Sequence, residues 1–477
     1  MYDHTKQYRC TIIRGKSQKE MDDLLPAYAL VIDEICPCPV DKFDTSFNEA
    51  FKRFLPESDR IKKTLDNHRT EISGKLFGMY YRSDDGMVYK SERTAKYLED
   101  SDQPAFFKDI CFKMQFPNGM DSFHTLKNRL EVGINIRPNS FVLKVLQLAE
   151  DAKQSITIND IGYYILNSLD VLQGRATPIE VLDTIIEDHK CRRQRKIEAY
   201  DERGNPKASS YTTQHIREQL NYLELANLIR ITANKCVILN PSELKTINLF
   251  TSAVNQKPEF DLYSYNFDNI DNRKKFQLEW DIYFSKLSEV ANKFITTSES
   301  LNYDPEKQNE KEKEIIEKKG TNLTEFGDEG EALVFEYEKE RVSAFNKRLA
   351  QKVLSLGKTK GIGYDIQSVI AEPGDEAEYV KYIEVKSTKR FTCPDLEDSL
   401  WMDTLNVTRN EYVAAQQHGE YYSIYRVFFT RNGVSVFVIE NIADKIKSGK
   451  IQATPITYRI DYSSNAVNSK ITLKGEQ

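Results

Sequence analysis

Late in the chain, three residues have the types and the spacing that phosphodiester hydrolysis requires. Asp365 stands in the apolar stretch GIGYDIQSV, the turn EPGDE follows, and the run YVKYIEVK carries Glu384 and Lys386 two positions apart. On a β-strand, positions two apart project to one face, so this run delivers a carboxylate and an ammonium together, beside an aspartate from the adjacent strand. Such a D…ExK set can hold a hard divalent cation through its oxygens and leave room for water and phosphate. The lysine can orient or help deprotonate the attacking water and stabilise the charge that develops in the transition state. An ExK pair at a strand edge is often no more than an exposed ion pair. Two features favour chemistry here: Val380, Ile383 and Val385 make the strand apolar around its charges, and a helix expected over Gly327–Arg341 opens with acidic residues. Asn410-Glu411 reads as a cap or support for a helix, and His418 as a structural or exposed histidine.

These residues need strands and a helix to position them, and the chain supplies both beyond a clear boundary. Residues 296–324, containing SESLNYDPEKQNEKEKEIIEKKGTNLT, are dense in Glu, Lys and Asn and read as an exposed helix or tether. At 477 residues the chain exceeds what one hydrophobic core serves. The expected organisation is an N-terminal recognition domain over 1–130, a second over 131–295, the charged linker 296–324, and a chemical domain over 325–477. An apolar fraction of 40%, with 29% charged residues, excludes a disordered chain. No run is long and apolar enough for a membrane span, and MYDHTKQYRC lacks a signal-peptide core, so a cytoplasmic protein is expected. Seven scattered cysteines argue against a disulfide framework, and Cys36-Pro-Cys38 has no second ligand pair at zinc spacing.

The upstream half suggests two versions of one small fold. In the first, Ile72–Leu98, the strand LFGMYYR meets the turn Ser83-Asp84-Asp85-Gly86, MVYKS returns, and the helix ERTAKYL follows; Asp-Gly between β-rich runs marks a hairpin. In the second, a helix around Phe141–Glu150 precedes IGYYILNS, which Asn159 or Asp160 could cap. Thr212-Thr213-Gln214 then opens the helix HIREQLNYLELA, and LIRITANKCVILNP forms a strand pair whose turn residue would be Asn234. Helix plus hairpin are the parts of a winged helix. The opening of a recognition helix meets base edges in the major groove, which makes Thr212, Thr213, Gln214 and Arg217 the natural readers. The net charge of −6 opposes nucleic-acid binding, yet the stretch from Lys190 to Arg217 holds eight basic residues against three acidic ones, with Arg192, Arg193, Arg195 and Lys196 at its head.

Two resemblances gather these observations. AFFKDICFKMQFPNG, INIRPNSFVLKVL and YTTQHIREQLNYLELANLIRITANKCVILNPSE resemble the tandem winged-helix recognition region of type IIS restriction endonucleases and related nicking enzymes, from about Ile72 to Glu243. GDEGEALVFEYEKE, GIGYDIQSV, YIEVKST and VTRNEYVAA, in that order, resemble a PD-(D/E)xK-like nuclease domain, long of unknown function, found in bacterial defence proteins and some plant proteins. In that family the Gly-Glu of the first helix, the Asp and the ExK pair form the active site, which maps onto Glu331, Asp365, Glu384 and Lys386. Glu331, Asp365 and Glu384 would be the metal ligands. The Pro of the signature is absent, with Tyr364 in its place. The resemblances imply an α+β multidomain protein, winged-helix DNA-recognition domains followed by an α/β nuclease with a mixed central sheet. They imply a Mg²⁺-dependent endonuclease, with Mn²⁺ able to substitute, that binds an asymmetric duplex DNA sequence and cuts outside it. Double-strand cleavage by a single site would call for self-association, as a dimer or tetramer. A modification-dependent or nicking enzyme, or a catalytically silent DNA-binding defence or regulatory protein, are the other readings.

Overall fold

Helices and short antiparallel hairpins build the first of two units into which the chain divides, Met1–Thr296 with Tyr303–Lys307; the second is Thr297–Asn302 with Gln308–Gln477. The computed structural model describes residues 7–8, 18–193, 195, 199–200, 206–207, 209–305, 329–357, 359, 361–371, 379–398, 401–454 and 459–473. Both units mix helices with strands. Among the described residues, no helix is long and apolar enough to cross a membrane.

In the first unit, β1 (Cys38–Pro39), β2 (Tyr80–Arg82) and β3 (Met87–Lys90) form an antiparallel sheet in the order β1-β3-β2. The β2-β3 turn is the expected one, with Gly86 at φ +80°. The strand before it is shorter than LFGMYYR suggests. Leu76 still belongs to a helix, Asn67–Leu76, and Gly78 turns the chain at φ +55°, where a Cβ would sit 2.8 Å from the Phe284 ring. Ser91 then caps the helix Glu92–Asp100 through the Thr94 amide.

The second set of elements also has different boundaries from those expected. Thr157, rather than Asn159 or Asp160, caps the helical segment from Ile158 onward, with Asp160 returning the bond in a capping box. The helix expected to open at Thr212 begins at Ser209 and runs to Leu225; it follows the short pair β4 (Ala199–Tyr200) and β5 (Pro206–Lys207). The strand pair is present as β6 (Ile229–Ile231) and β7 (Val237–Leu239), but the left-handed turn residue is Lys235 at φ +63°, not Asn234.

Through the first unit passes the helix Gln103–Lys113, all eleven of whose residues are buried. Its charges are therefore paired inside: Asp109 with Arg93 at 2.8 Å, Lys108 with Glu243 at 2.8 Å. Lys113 donates to the carbonyls of Tyr283 and Lys286. Of the charged segment 296–324, residues 306–324 lie outside the described residues, and its beginning alternates buried and exposed residues. Thr296 is buried in the first unit, while Leu301, in the short helix Ser298–Asn302, is buried in the core of the second.

A cavity of about 200 Å³ in the first unit is lined by Tyr80, Arg82, Gln277, Trp280 and Asp281 among others. Burial pushes the Asp281 carboxyl from its ordinary value of 3.8 up to about 6, against the lowering effect of the bond from Gln277. The folded chain thus holds this proton more tightly than the unfolded one. Its contribution makes stability fall as pH rises from about 4 to about 6, and the cost persists above that range. Asp281→Asn keeps an acceptor for Gln277 and removes the buried charge, so it should stabilise the protein at pH 7 by roughly 2 kcal/mol and by much less at pH 4. Urea unfolding of both proteins at the two pH values checks this; an equal effect at both would refute it.

In the second unit a six-stranded mixed sheet runs in the order β16-β13-β12-β10-β9-β8. Its strands are β8 (Leu354–Ser355), β9 (Ile366–Ile370), β10 (Tyr379–Lys389), β12 (Tyr422–Thr430), β13 (Gly433–Glu440) and β16 (Ser469–Leu473); a smaller sheet holds β11 (Asp403–Asn406), β15 (Arg459–Tyr462) and β14 (Ile451–Thr454). Only β10 and β12 pair in parallel within the large sheet, and the helix Arg409–His418 lies between them in sequence, as a parallel connection requires. One face of the sheet packs Ile366, Ile383, Val385 and Val427 with Val334 and Val342 of the helix Glu329–Phe345. The other packs Tyr422, Ile424 and Phe428 with Ala414 and Ala415 of the helix Arg409–His418. Since Ile383 and Val385 point to the first helix, Glu384 and Lys386 point to the second.

Candidate active site

Asp365 sits one residue before β9, where its amide donates to the Ile383 carbonyl at 2.9 Å and its Oδ2 accepts from the Val385 amide at 2.8 Å. The aspartate is therefore tied on both sides of Glu384. The loop before it is forced close to the helix Arg409–His418: Gly363 has φ +82°, and a Cβ there would lie 2.4 Å from the Asn410 carbonyl oxygen. The Tyr422 hydroxyl donates to the Gly363 carbonyl at 2.9 Å.

Glu384 is 4% exposed, and its Oε1 lies 2.7 Å from the Lys386 Nζ. Burial pushes the Glu384 carboxyl well above its usual range, and Asp365 and Glu411 add to this while Lys386 opposes it. Burial works against the Lys386 charge, but Glu384 and Glu411 outweigh it and hold the ammonium above its ordinary value. Glu411 is a member of this group that spacing along the strand did not reveal: its Oε2 is 2.9 Å from the Lys386 Nζ. It is also a cap residue as expected, closing a capping box with Thr408. A strand-to-helix contact across a crossover has no local signature, and only the apolar pattern of VTRNEYVAA hinted that this helix packs on the sheet.

On the neighbouring strand β12, Arg426 is in register with Lys386 and donates to the Lys386 and Ser387 carbonyls at 3.2 and 3.0 Å. Asp403 holds Arg426 at 2.9 Å and accepts from the Tyr462 hydroxyl at 2.9 Å. This buried network fixes the backbone that carries the ExK pair.

Of the five glutamates on the helix Glu329–Phe345, Glu331, Glu336 and Glu338 are the ones the sequence offers to the site, while Glu329 pairs with Lys389 at 3.3 Å. Glu338 is fully buried and committed to Arg341, Ser368 and Tyr425, and Glu336 is exposed. Glu331 is placed beside Asp365: a Cβ on Gly357 would meet Glu331 Oε2 at 2.7 Å and Asp365 Oδ1 at 3.3 Å, so the two carboxylates flank the same small space. His418 stacks on the Tyr382 ring with centroids 3.7 Å apart, and burial lowers its basicity.

Among the described residues, no three His, Cys, Asp or Glu side chains stand together as a finished metal cage. The donors that do converge are hard carboxylate oxygens, in pairs. That set suits Mg²⁺, which commonly takes one or two carboxylates and fills its remaining positions with water and phosphate.

The residues expected to meet DNA divide. Arg192, at φ +53° just past the helix Pro178–Lys190, is exposed. Arg193 and Arg195 both turn back to the buried Asp188, at 3.2 and 2.6 Å. Arg217 pairs with Glu224 at 3.0 Å, and Gln214 is exposed. Lys196 and the side chains of Thr212 and Thr213 lie outside the described residues. The basic stretch is thus partly neutralised by Asp188 and Glu224, which flank it in sequence.

Over residues 2–281 the chain matches the family described as restriction endonuclease BpuJI, N terminal. The match spans more than half of the chain, which belongs to that family. A second match, over residues 330–439, is to the family described as protein NO VEIN, C-terminal; it encloses Glu331, Asp365, Glu384, Lys386 and Glu411. A solved structure of the BpuJ1 endonuclease binding domain in complex with pyrene- and phenanthrene-modified DNA shares 50% sequence identity, with a TM-score of 0.56 over 60% of this chain and 100% of that one. The restriction endonuclease FokI bound to DNA aligns at 12% identity with a TM-score of 0.23, over 81% of this chain and 82% of that one, too low for a structural comparison. No curated protein matches the chain.

Proposed function

We propose that the protein is a type IIS-like restriction endonuclease. Residues 1–130 and 131–295 form winged-helix domains that read an asymmetric duplex DNA sequence, and 325–477 form a PD-(D/E)xK nuclease that cuts outside it. The observation that carries this reading is the placement of Asp365, Glu384 and Lys386 at one point of a mixed sheet, downstream of a region that belongs to the BpuJI N-terminal family. The similarity to a binding domain solved with DNA supports the assignment of the reader.

Asp365, Glu384 and Glu331 are the oxygen donors that would hold Mg²⁺, or Mn²⁺ in its place. When bound, such a cation supplies Lewis-acid stabilisation and a more acidic water. Lys386 stays protonated at neutral pH because two carboxylates share it, so Nζ donates hydrogen bonds to the attacking water and to the developing charge on the phosphate rather than accepting a proton. Arg192 and Gln214, with Lys196, Thr212 and Thr213, contact the duplex; Arg193, Arg195 and Arg217 reach it only by exchanging Asp188 or Glu224 for phosphate. A single site cuts one strand, so double-strand breaks need two copies, and their rate should rise faster than linearly with protein concentration.

Incubating a plasmid library with protein and Mg²⁺ and sequencing the ends tests the reading. The expected product has ends at a fixed offset from one recurring sequence, and EDTA suppresses it. Absence of cleavage, or ends at unrelated positions, would overturn the proposal.

A further inference from the structure

We propose that Glu411 is a positioning residue for the nuclease site, holding the Lys386 ammonium in place when Glu384 is drawn to a metal ion. The inference rests on the reading above of Asp365, Glu384 and Lys386 as the catalytic set.

Lys386 Nζ lies between two acceptors, Glu384 Oε1 at 2.7 Å and Glu411 Oε2 at 2.9 Å. The two differ in origin. Glu384 is on the same strand, two residues away, and its carboxylate is the one a cation would claim. A lysine anchored there alone would lose its partner when the site fills, and its four-carbon stem has about 2 kcal/mol of rotamer entropy with which to wander. Glu411 reaches Lys386 from outside the sheet. Its carboxylate is itself fixed, since the same Oε2 accepts from the Thr408 amide at 3.0 Å, and its own amide donates to Thr408 Oγ1 at 3.3 Å.

The helix that carries Glu411 is also the reference for Asp365. Its first turn lies so close under the loop 361–364 that only a glycine fits at 363, with the Asn410 carbonyl and the Ala414 Cβ in the way of any side chain. One helix start therefore sets the position of both Asp365 and Lys386. The charged groups that face Lys386 are Glu384 from its own strand and Glu411 from the helix, with Asp365 close enough to act on Glu384.

A cap alone would give Glu411 a purely structural role, and three variants separate the two. Glu411→Ala loses the cap and the lysine contact, Thr408→Ala weakens the cap and keeps the carboxylate, and Glu411→Gln keeps an acceptor oxygen for both. With Mg²⁺ and saturating protein, the single-turnover cleavage rate of Glu411→Ala should fall 10- to 100-fold, on the order of the loss seen when residues that orient metal-site groups are removed. DNA affinity measured in EDTA should not change. Thr408→Ala should cut within about threefold of the wild type even if its unfolding midpoint drops as far, and Glu411→Gln should recover most of the rate. Cleavage by Glu411→Ala at the wild-type rate, or an equal loss in Thr408→Ala, overturns the role. If the wild type cuts, Lys386→Ala is silent and Glu411→Ala is fully active, this inference alone fails; if the wild type does not cut, the underlying reading and the inference fall together.

Discussion

Glu384→Gln should leave DNA binding intact and lower the cleavage rate by on the order of 10³-fold or more, while making the protein no less stable than the wild type. The pairing of those effects follows from the environment of the side chain. Glu384 is 4% exposed, and burial holds its carboxyl well above the usual range, so the folded chain bears a cost for keeping a negative charge there. Folding would favour a neutral group, while holding a cation requires the charged one. The amide is nearly isosteric, keeps an acceptor for Lys386, and removes both the cost and the function. Lys386→Ala should be as inactive but less stable, because it leaves Glu384 and Glu411 facing each other without the ammonium between them. Cleavage rates in Mg²⁺, DNA affinity in EDTA and thermal midpoints test both variants. A Glu384→Gln protein that cuts within about tenfold of the wild type would remove Glu384 from the catalytic set.

The ExK pair was legible because a strand has period two and YVKYIEVK has apolar residues at the intervening positions. Ile383 and Val385 pack against one helix, which leaves Glu384 and Lys386 to the other side. The hairpin at Asp85-Gly86 was legible for a similar local reason. Glu411 was recognised as a cap and not as a partner of Lys386, since that contact depends on how the connection between the parallel strands β10 and β12 folds back on the sheet. The basic stretch shows another limit. Counting Lys and Arg between Lys190 and Arg217 gave the correct local excess, but Asp188 and Glu224 lie just outside that window and neutralise Arg193, Arg195 and Arg217 from the helices on either side. Propensity favours Asn234 as the left-handed residue, yet Lys235 takes that conformation because the register of β6 and β7 places the turn there.

AFFKDICFKM carried a signal that its composition alone left unused. A helix apolar on every side must be buried, and its charges must then find partners inside. Lys108 is wholly buried and bonds to Glu243 at 2.8 Å, the Ile295 carbonyl at 3.0 Å and Thr296 Oγ1 at 3.0 Å; Glu243 is bound in turn by Asn227 and Thr246 at 3.1 Å. Breaking such a pair from one side leaves an uncompensated charge in a low-dielectric core. Lys108→Ala or Glu243→Ala should therefore destabilise the first unit by about 3–5 kcal/mol, whereas Lys108→Met with Glu243→Leu should lose far less. Trp280 is in the first unit and Trp401 in the second, so a Trp401→Phe background lets tryptophan fluorescence follow the first unit during urea unfolding. A single variant that moves this transition by less than roughly 1 kcal/mol would mean that the pair is not sealed from water. The double variant separates charge from packing. If it is as unstable as either single variant, the bonds to the Ile295 carbonyl and Thr296, not the ion pair, hold this end of the unit.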